Sequence, residues 1–325
     1  MTSLPTRPLG HSGLATTVVG LGCNNFGGRL DVDATRSVVD AALDAGITFF
    51  DTADIYGRHF GGASHPGPGR SEELLGEVLE GRRDRVVLAT KFGGDMGDGF
   101  GGARGSAEYI SQAIDASLAR LNTDVIDLYW YHLPDGITPI LETLTALDAL
   151  IVAGKVRALG ASNFSADALE KAATVAREHG LTGFSALQNE YSLLARTPES
   201  DGTLAACEQL GVGFVPYFPL ASGLLTGKYS RTGDGPSDSR LSGRDALASD
   251  AQWDLIEALT AYASERELTL TQVAIGALLT QPAVSTVIAG ATKPAQITAN
   301  ASAAEWTPRG SDISVLQEIL AAATA

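Results

Sequence analysis

The chain has 325 residues, 44% hydrophobic and 19% charged, a globular balance with enough apolar surface for a sizeable core. Its formal charge of −15 argues against nucleic acid as a partner and requires that any anionic cofactor be met by a local basic cluster. No run of about 18 apolar residues is present to span a membrane. The opening "MTSLPTRPLGHSG" lacks the apolar centre of a secretory signal, and two cysteines, Cys23 and Cys207, make no disulfide framework, so a reducing, cytoplasmic setting is expected.

Short β-branched runs alternate with longer amphipathic ones. "RPLGHSGLATT" reads as a hairpin turning at His11–Gly13 and covering the floor of a barrel. "TTVVGLG" (16–22) predicts a strand, and "DVDATRSVVDAALDAG" (31–46) a helix capped by Asp31 or Asp33 and ended by Gly46. "ITFFDTA" (47–53) is a strand, and "SEELLGEVLEG" (71–81) a helix with Ser71 as N-cap. Strands at 85–91, 125–132, 156–163, 184–191, 212–220 and 284–290 follow, with helices at 106–122, 137–154, 165–180 and 202–211 between them. A polar connection leads to helices at 251–267 and 269–281, and helices at 294–304 and 313–323 close the chain.

The pattern is eight near-continuous apolar strands, each followed by a helix, with no linker between them. It predicts a (β/α)8 TIM barrel, one domain over 1–325, with the N-terminal hairpin on its floor. The runner-up is a doubly wound open sheet. Against it, "GLGCNNFGG" does not have the G-x-G-x-x-G spacing that opens a dinucleotide-binding unit.

In such barrels the working face is the C-terminal end of the strands. Asp51 ends the second strand, with Tyr56 in the loop beyond; Lys91 ends the third and His132 the fourth. Taken singly, an acid caps the next helix, a tyrosine fills half-buried space, and a histidine is a satisfied structural side chain. Together they are ionisable groups ending neighbouring strands on one face, costly to bury unless they satisfy one another. A lysine beside a phenol lowers the phenol's pKa, so Lys91, held by Asp51, is expected to make Tyr56 a usable general acid or base. His132 would orient a carbonyl oxygen. The sequence shows no metal-ligand spacing and no nucleophile–base pair, and Cys23 is expected to pack near the site. A proton donor without a nucleophile or metal fits hydride transfer from a cofactor.

The segments "GITFFDTADIYG", "SEELLGEVL", "VVLATKFG", "IDLYWYHLPD", "GKVRALGASNF", "LQNEYSLLAR", "PYFPLASGLLTGKY" and "VIAGATKPAQITAN" resemble, in order and nearly end to end, the aldo-keto reductase superfamily. The resemblance implies NAD(P)(H)-dependent interconversion of carbonyls and alcohols, with a catalytic tetrad of Asp51, Tyr56, Lys91 and His132. It places the nicotinamide carboxamide at Ser162, Asn163 and Gln188, and the nicotinamide ring on Tyr217. The turn Pro219, Leu220, Ala221, Ser222 and Gly223 would cradle the pyrophosphate with Lys228 as counter-charge. Gly290, Thr292, Gln296 and Asn300 would bind the adenosine half, and Lys228, Arg240 and Lys293 would supply the basic cluster. Solvated surface charge is the alternative for Arg240 and Lys293.

Ala299 stands where many relatives carry an acid, and Thr292 and Lys293 stand near the expected 2′-phosphate, so NADP(H) is preferred and NAD(H) remains possible. The partner implied is a small-molecule carbonyl or alcohol, and the oligomeric state is open. The competing reading is a cofactor-binding accessory or sensor subunit with marginal turnover. Loops 57–70, 93–105 and 229–249 shape the pocket, with His59, Phe60, His65, Met96, Phe100 and Trp130 as candidate lining.

Overall fold

The computed structural model describes residues 4–57, 67–97, 102–233, 235–236, 239–241 and 247–322. Two short antiparallel strands open the chain, β1 (Thr6–Pro8) and β2 (Ala15–Thr17), paired Thr6 to Thr17 and Pro8 to Ala15. The barrel begins with β3 (Val19–Gly22), α1 (Val32–Asp44), β4 (Phe49–Asp51), α2 (Arg70–Val78), β5 (Val87–Phe92), α3 (Ala107–Arg120), β6 (Ile126–Tyr131) and α4 (Ile140–Val152). It continues through β7 (Val156–Ser162), α5 (Ala166–His179), β8 (Ala186–Gln188), α6 (Thr197–Ser200), α7 (Thr203–Leu210) and β9 (Gly213–Phe214). The helices α8 (Asp250–Glu265) and α9 (Leu270–Leu278), the strand β10 (Val287–Gly290), and α10 (Pro294–Ser302) and α11 (Gly310–Ala322) complete it.

The sheet has eight parallel strands in the order β10-β3-β4-β5-β6-β7-β8-β9. Its two ends meet: the Phe214 amide donates to Ala283 (2.7 Å) and the Ile288 amide to Pro216 (3.3 Å). The fold is therefore the expected (β/α)8 barrel. Side chains alternate across each strand. In β5, Leu88 and Phe92 face the helices and join the core between strands and helices, whereas Ala89 faces inward. The interior holds Leu9, Phe49, Leu128, Trp130, Val215 and Ile288, separated by small Ala89, Ala158 and Ala186.

Local chemistry explains most boundaries. Asp31 caps α1 by accepting from the Ala34 amide (2.9 Å), and Ser106, Ser165, Ser249 and Thr269 do the same for α3, α5, α8 and α9. The hairpin lies on the floor as expected: Leu9 is fully buried in the interior core, and a Cβ on Gly10, at φ +53°, would meet the Ser185 carbonyl at 2.1 Å.

Three local expectations change. The run 16–22 splits, because Ala15–Thr17 pairs into the hairpin while Val19–Gly22 joins the barrel. Ser71 does not cap α2: Gly69 holds that position in a left-handed conformation, and the buried Ser71 hydroxyl instead donates to the Cys23 carbonyl (2.9 Å) beside Thr52. Trp130 does not line the cleft. It fills the barrel interior, fully buried, against Gly160, where a Cβ would come within 2.2 Å of the indole.

Candidate active site

The C-terminal mouth of the barrel opens into a cleft of about 910 Å³. β4 delivers Asp51 and β5 delivers Lys91, which lie inside the barrel because the residues alternate across each strand. Lys91 is fully buried. Its ammonium donates to the Asp51 carboxylate, to the Thr52 carbonyl (2.7 Å) and to the Tyr56 hydroxyl (3.3 Å). Gln188 at the end of β8 adds a donor to the other Asp51 oxygen (3.1 Å). A buried ion pair is tolerable only when its remaining donors and acceptors are satisfied, as they are here.

Tyr56 is set by the turn after β4, its amide donating to Ala53 (3.2 Å). His132 follows β6, its amide bound to Phe92 (2.9 Å), and its ring meets the Tyr56 ring edge-on with centroids 6.0 Å apart. Burial and the Lys91 charge push the His132 imidazole down to about 3, so it is neutral at physiological pH. Its buried Nδ1 has no hydrogen-bond partner among the described residues. For Lys91, burial disfavours the ammonium, but Asp51 and Tyr56 outweigh it and the net shift is upward. The expectation for Tyr56 is corrected: burial outweighs the opposing pull of Lys91, and the phenol sits above its ordinary value. Burial, with the Asp51 charge, also pushes the Cys23 thiol well up, so it stays a thiol and packs beside Asp51.

The residues expected to hold a cofactor line the same cleft. Asn163, at φ +60°, donates to the His132 carbonyl (3.0 Å) and the Ser162 hydroxyl (3.2 Å) and accepts from Tyr217 (2.9 Å), which ties three strand ends together. Phe218, Ala221, Ser222 and Gly223 all have left-handed backbone, at φ +52°, +45°, +57° and +101°. Residues of this kind fold amides into a concave array suited to anions. A Cβ at Gly223 would meet the Lys228 ammonium at 2.8 Å, so glycine there lets the lysine lie across the turn.

Arg240 stacks over the Phe218 ring (5.4 Å) and donates to Asn25 (3.3 Å), joining the two sides of the cleft. Thr292 donates its amide to Gln296 (2.7 Å), Asn300 is buried, and Lys293 and Gly290 border the cleft. The concave turn, the lysine against it and the orphaned His132 nitrogen fit a phosphate-bearing cofactor with a carbonyl compound beside it.

Sequence reasoning missed Arg29, Asn25, Phe218 and Ile55 as lining residues. Only their proximity to strand ends hinted at them. Met96 does not line the cleft, and His59, Phe60, His65 and Phe100 lie outside the described residues.

The structure is a (β/α)8 barrel with a buried Asp–Lys pair against a tyrosine and a histidine at its mouth. The chain belongs to the aldo/keto reductase family, whose model matches residues 18–321. It is 36% identical over 313 residues to a probable voltage-gated potassium channel subunit beta of Oryza sativa subsp. japonica, covering 93% of this chain and 92% of that protein. It is 32% identical over 310 residues to L-glyceraldehyde 3-phosphate reductase of Escherichia coli (strain K12), covering 91% of this chain and 86% of that protein. Among the described residues no helix is long and apolar enough to cross a membrane.

Proposed function

We propose that the protein is an NADPH-preferring reductase of small aldehydes or ketones, working reversibly with the corresponding alcohols. The observation that carries this reading is the Lys91 ammonium held between Asp51 and the Tyr56 hydroxyl at the edge of an open cleft. Ser162, Asn163, Gln188 and Tyr217 would hold the nicotinamide. The turn at Pro219–Gly223 with Lys228 would hold the pyrophosphate, and Gly290, Thr292, Gln296 and Asn300 the adenosine half, with Arg240 and Lys293 adding positive charge. When bound, the cofactor supplies a hydride to the carbonyl carbon.

The chain's own residues supply the rest. Neutral His132 donates a hydrogen bond to the carbonyl oxygen and holds it against Tyr56. Tyr56 passes its proton to that oxygen as negative charge develops, and the phenolate left behind is stabilised by Lys91 before solvent reprotonates it. Asp51 keeps Lys91 charged and in place. The upward position of the Tyr56 phenol favours the protonated form needed for reduction.

A second reading, an accessory subunit that binds cofactor with marginal turnover, is favoured by the similarity to the channel subunit of Oryza sativa. Measuring NADPH and NADH binding by fluorescence quenching, with turnover on a panel of small aldehydes and ketones, separates the two. Steady NADPH oxidation supports the reductase. Tight NADPH binding without turnover on any carbonyl overturns it in favour of the subunit.

A further inference from the structure

Behind Lys91, between the barrel wall and its helices, lies a second set of ionisable groups that the reaction above does not use. Asp54 follows β4 and is 1% exposed, and its amide donates to the Lys91 carbonyl (3.1 Å). Glu72 enters from α2 and is fully buried, accepting from the Thr90 hydroxyl (2.5 Å) and from Arg120 of α3 (2.6 Å). Tyr129 of β6 and Tyr109 of α3 complete the surroundings, and the Tyr109 hydroxyl donates to the Gly94 carbonyl (3.2 Å).

The charges do not match one to one. Lys91 is committed to Asp51, and Arg120 to Glu72. Asp54 is a third carboxyl in the same buried region with no cation in contact, and neither of its oxygens has a hydrogen-bond partner among the described residues. The buried Tyr129 hydroxyl is likewise unpartnered among them. A carboxylate sealed with no side-chain donor and no cation in contact among the described residues is disfavoured, and the nearby Ile55 amide alone does not offset its burial, so the acid form is the one this geometry accommodates.

We propose that Asp54 is a positioning residue of the reductase site: held uncharged behind Lys91, it leaves the lysine's charge to Asp51 and Tyr56, and release of its proton to solvent resets that balance. This rests on the reductase reading above. Burial, with the Glu72 charge next, pushes the Asp54 carboxyl up to about 8, while the neighbouring Ile55 amide, then Arg120 and Lys91, act in the opposite sense without outweighing it. Once ionised, Asp54 adds a negative charge near Lys91, the phenol holds its proton more tightly, and Tyr56 becomes a weaker donor.

The test is the single-turnover rate of NADPH oxidation by a small aldehyde as a function of pH, for the wild-type chain and for Asp54→Asn. The wild-type profile is expected to carry a step down of about threefold centred near pH 8, which Asp54→Asn lacks and Asp54→Glu retains at a displaced pH. The same step in Asp54→Asn overturns the proposal. A second measurement needs neither turnover nor a foldable variant. Infrared difference spectra of the wild-type chain between about pH 7 and about pH 9 should show loss of a protonated buried carboxyl band. Constancy of that region overturns the proposal even if the chain reduces carbonyls, whereas failure to turn over any carbonyl with the band lost overturns the reductase reading alone.

Discussion

Lys91 shows how one residue can be both a liability and the centre of a site. Its ammonium is sealed from water and tolerable only because Asp51, the Thr52 carbonyl and Tyr56 receive its three protons. Lys91→Met should therefore destabilise the fold by about 3–5 kcal/mol, because it strands the buried Asp51 carboxylate. Adding Asp51→Asn should recover much of that loss, and denaturant unfolding of the single and double variants reads both.

His132 and Asp54 predict opposite pH dependences of stability. His132 is depressed in the folded state, so its contribution is present above the ordinary imidazole range and is lost as pH falls towards about 3. Asp54 is raised, so its contribution is present below the ordinary carboxyl range and is lost as pH rises through about 8. Asp54→Asn should flatten the fall in melting temperature between about pH 4 and about pH 8, and His132→Gln the fall as pH drops from about 6.5 to about 3.

At the scale of elements, the barrel depends on where glycine lets bulk pass. Gly160 in β7 makes room for the Trp130 indole of β6, and Gly160→Ala should cost about 1–3 kcal/mol of unfolding free energy by overpacking. Periodicity makes the helices legible: 31–46 reads as a helix and Val32–Asp44 forms, 165–180 reads as a helix and Ala166–His179 forms. The strand runs were legible as elements but not in their length. The run 212–220 shrinks to Gly213–Phe214, since Pro216 and Pro219 have no amide to donate and Phe218 turns left-handed. The convergence of Asp51, Tyr56, Lys91 and His132 at one mouth was legible because all four sit at or just beyond the C-terminal ends of neighbouring strands. The Asp54–Glu72–Arg120 cluster was not, since its members come from a loop and two helices and meet only in three dimensions. Nor was the sign of the Tyr56 shift, which depends on how much burial opposes Lys91.

For the whole molecule, the formal charge of −15 and the cations bordering the cleft belong together. Arg29, Lys228, Arg240 and Lys293 all line it, so a polyanionic cofactor approaching an acidic protein would be drawn to one place. Lys228→Ala should weaken NADPH binding by about tenfold and reduce its salt dependence, as read by fluorescence quenching across ionic strength.

The central claim is that Tyr56, backed by Lys91 and Asp51, gives the proton that completes carbonyl reduction. It is tested most directly by the turnover of Tyr56→Phe at saturating NADPH, with NADPH affinity measured on the same sample. A loss in kcat of about a hundredfold or more is expected, with NADPH still bound. Wild-type turnover in that variant would contradict it.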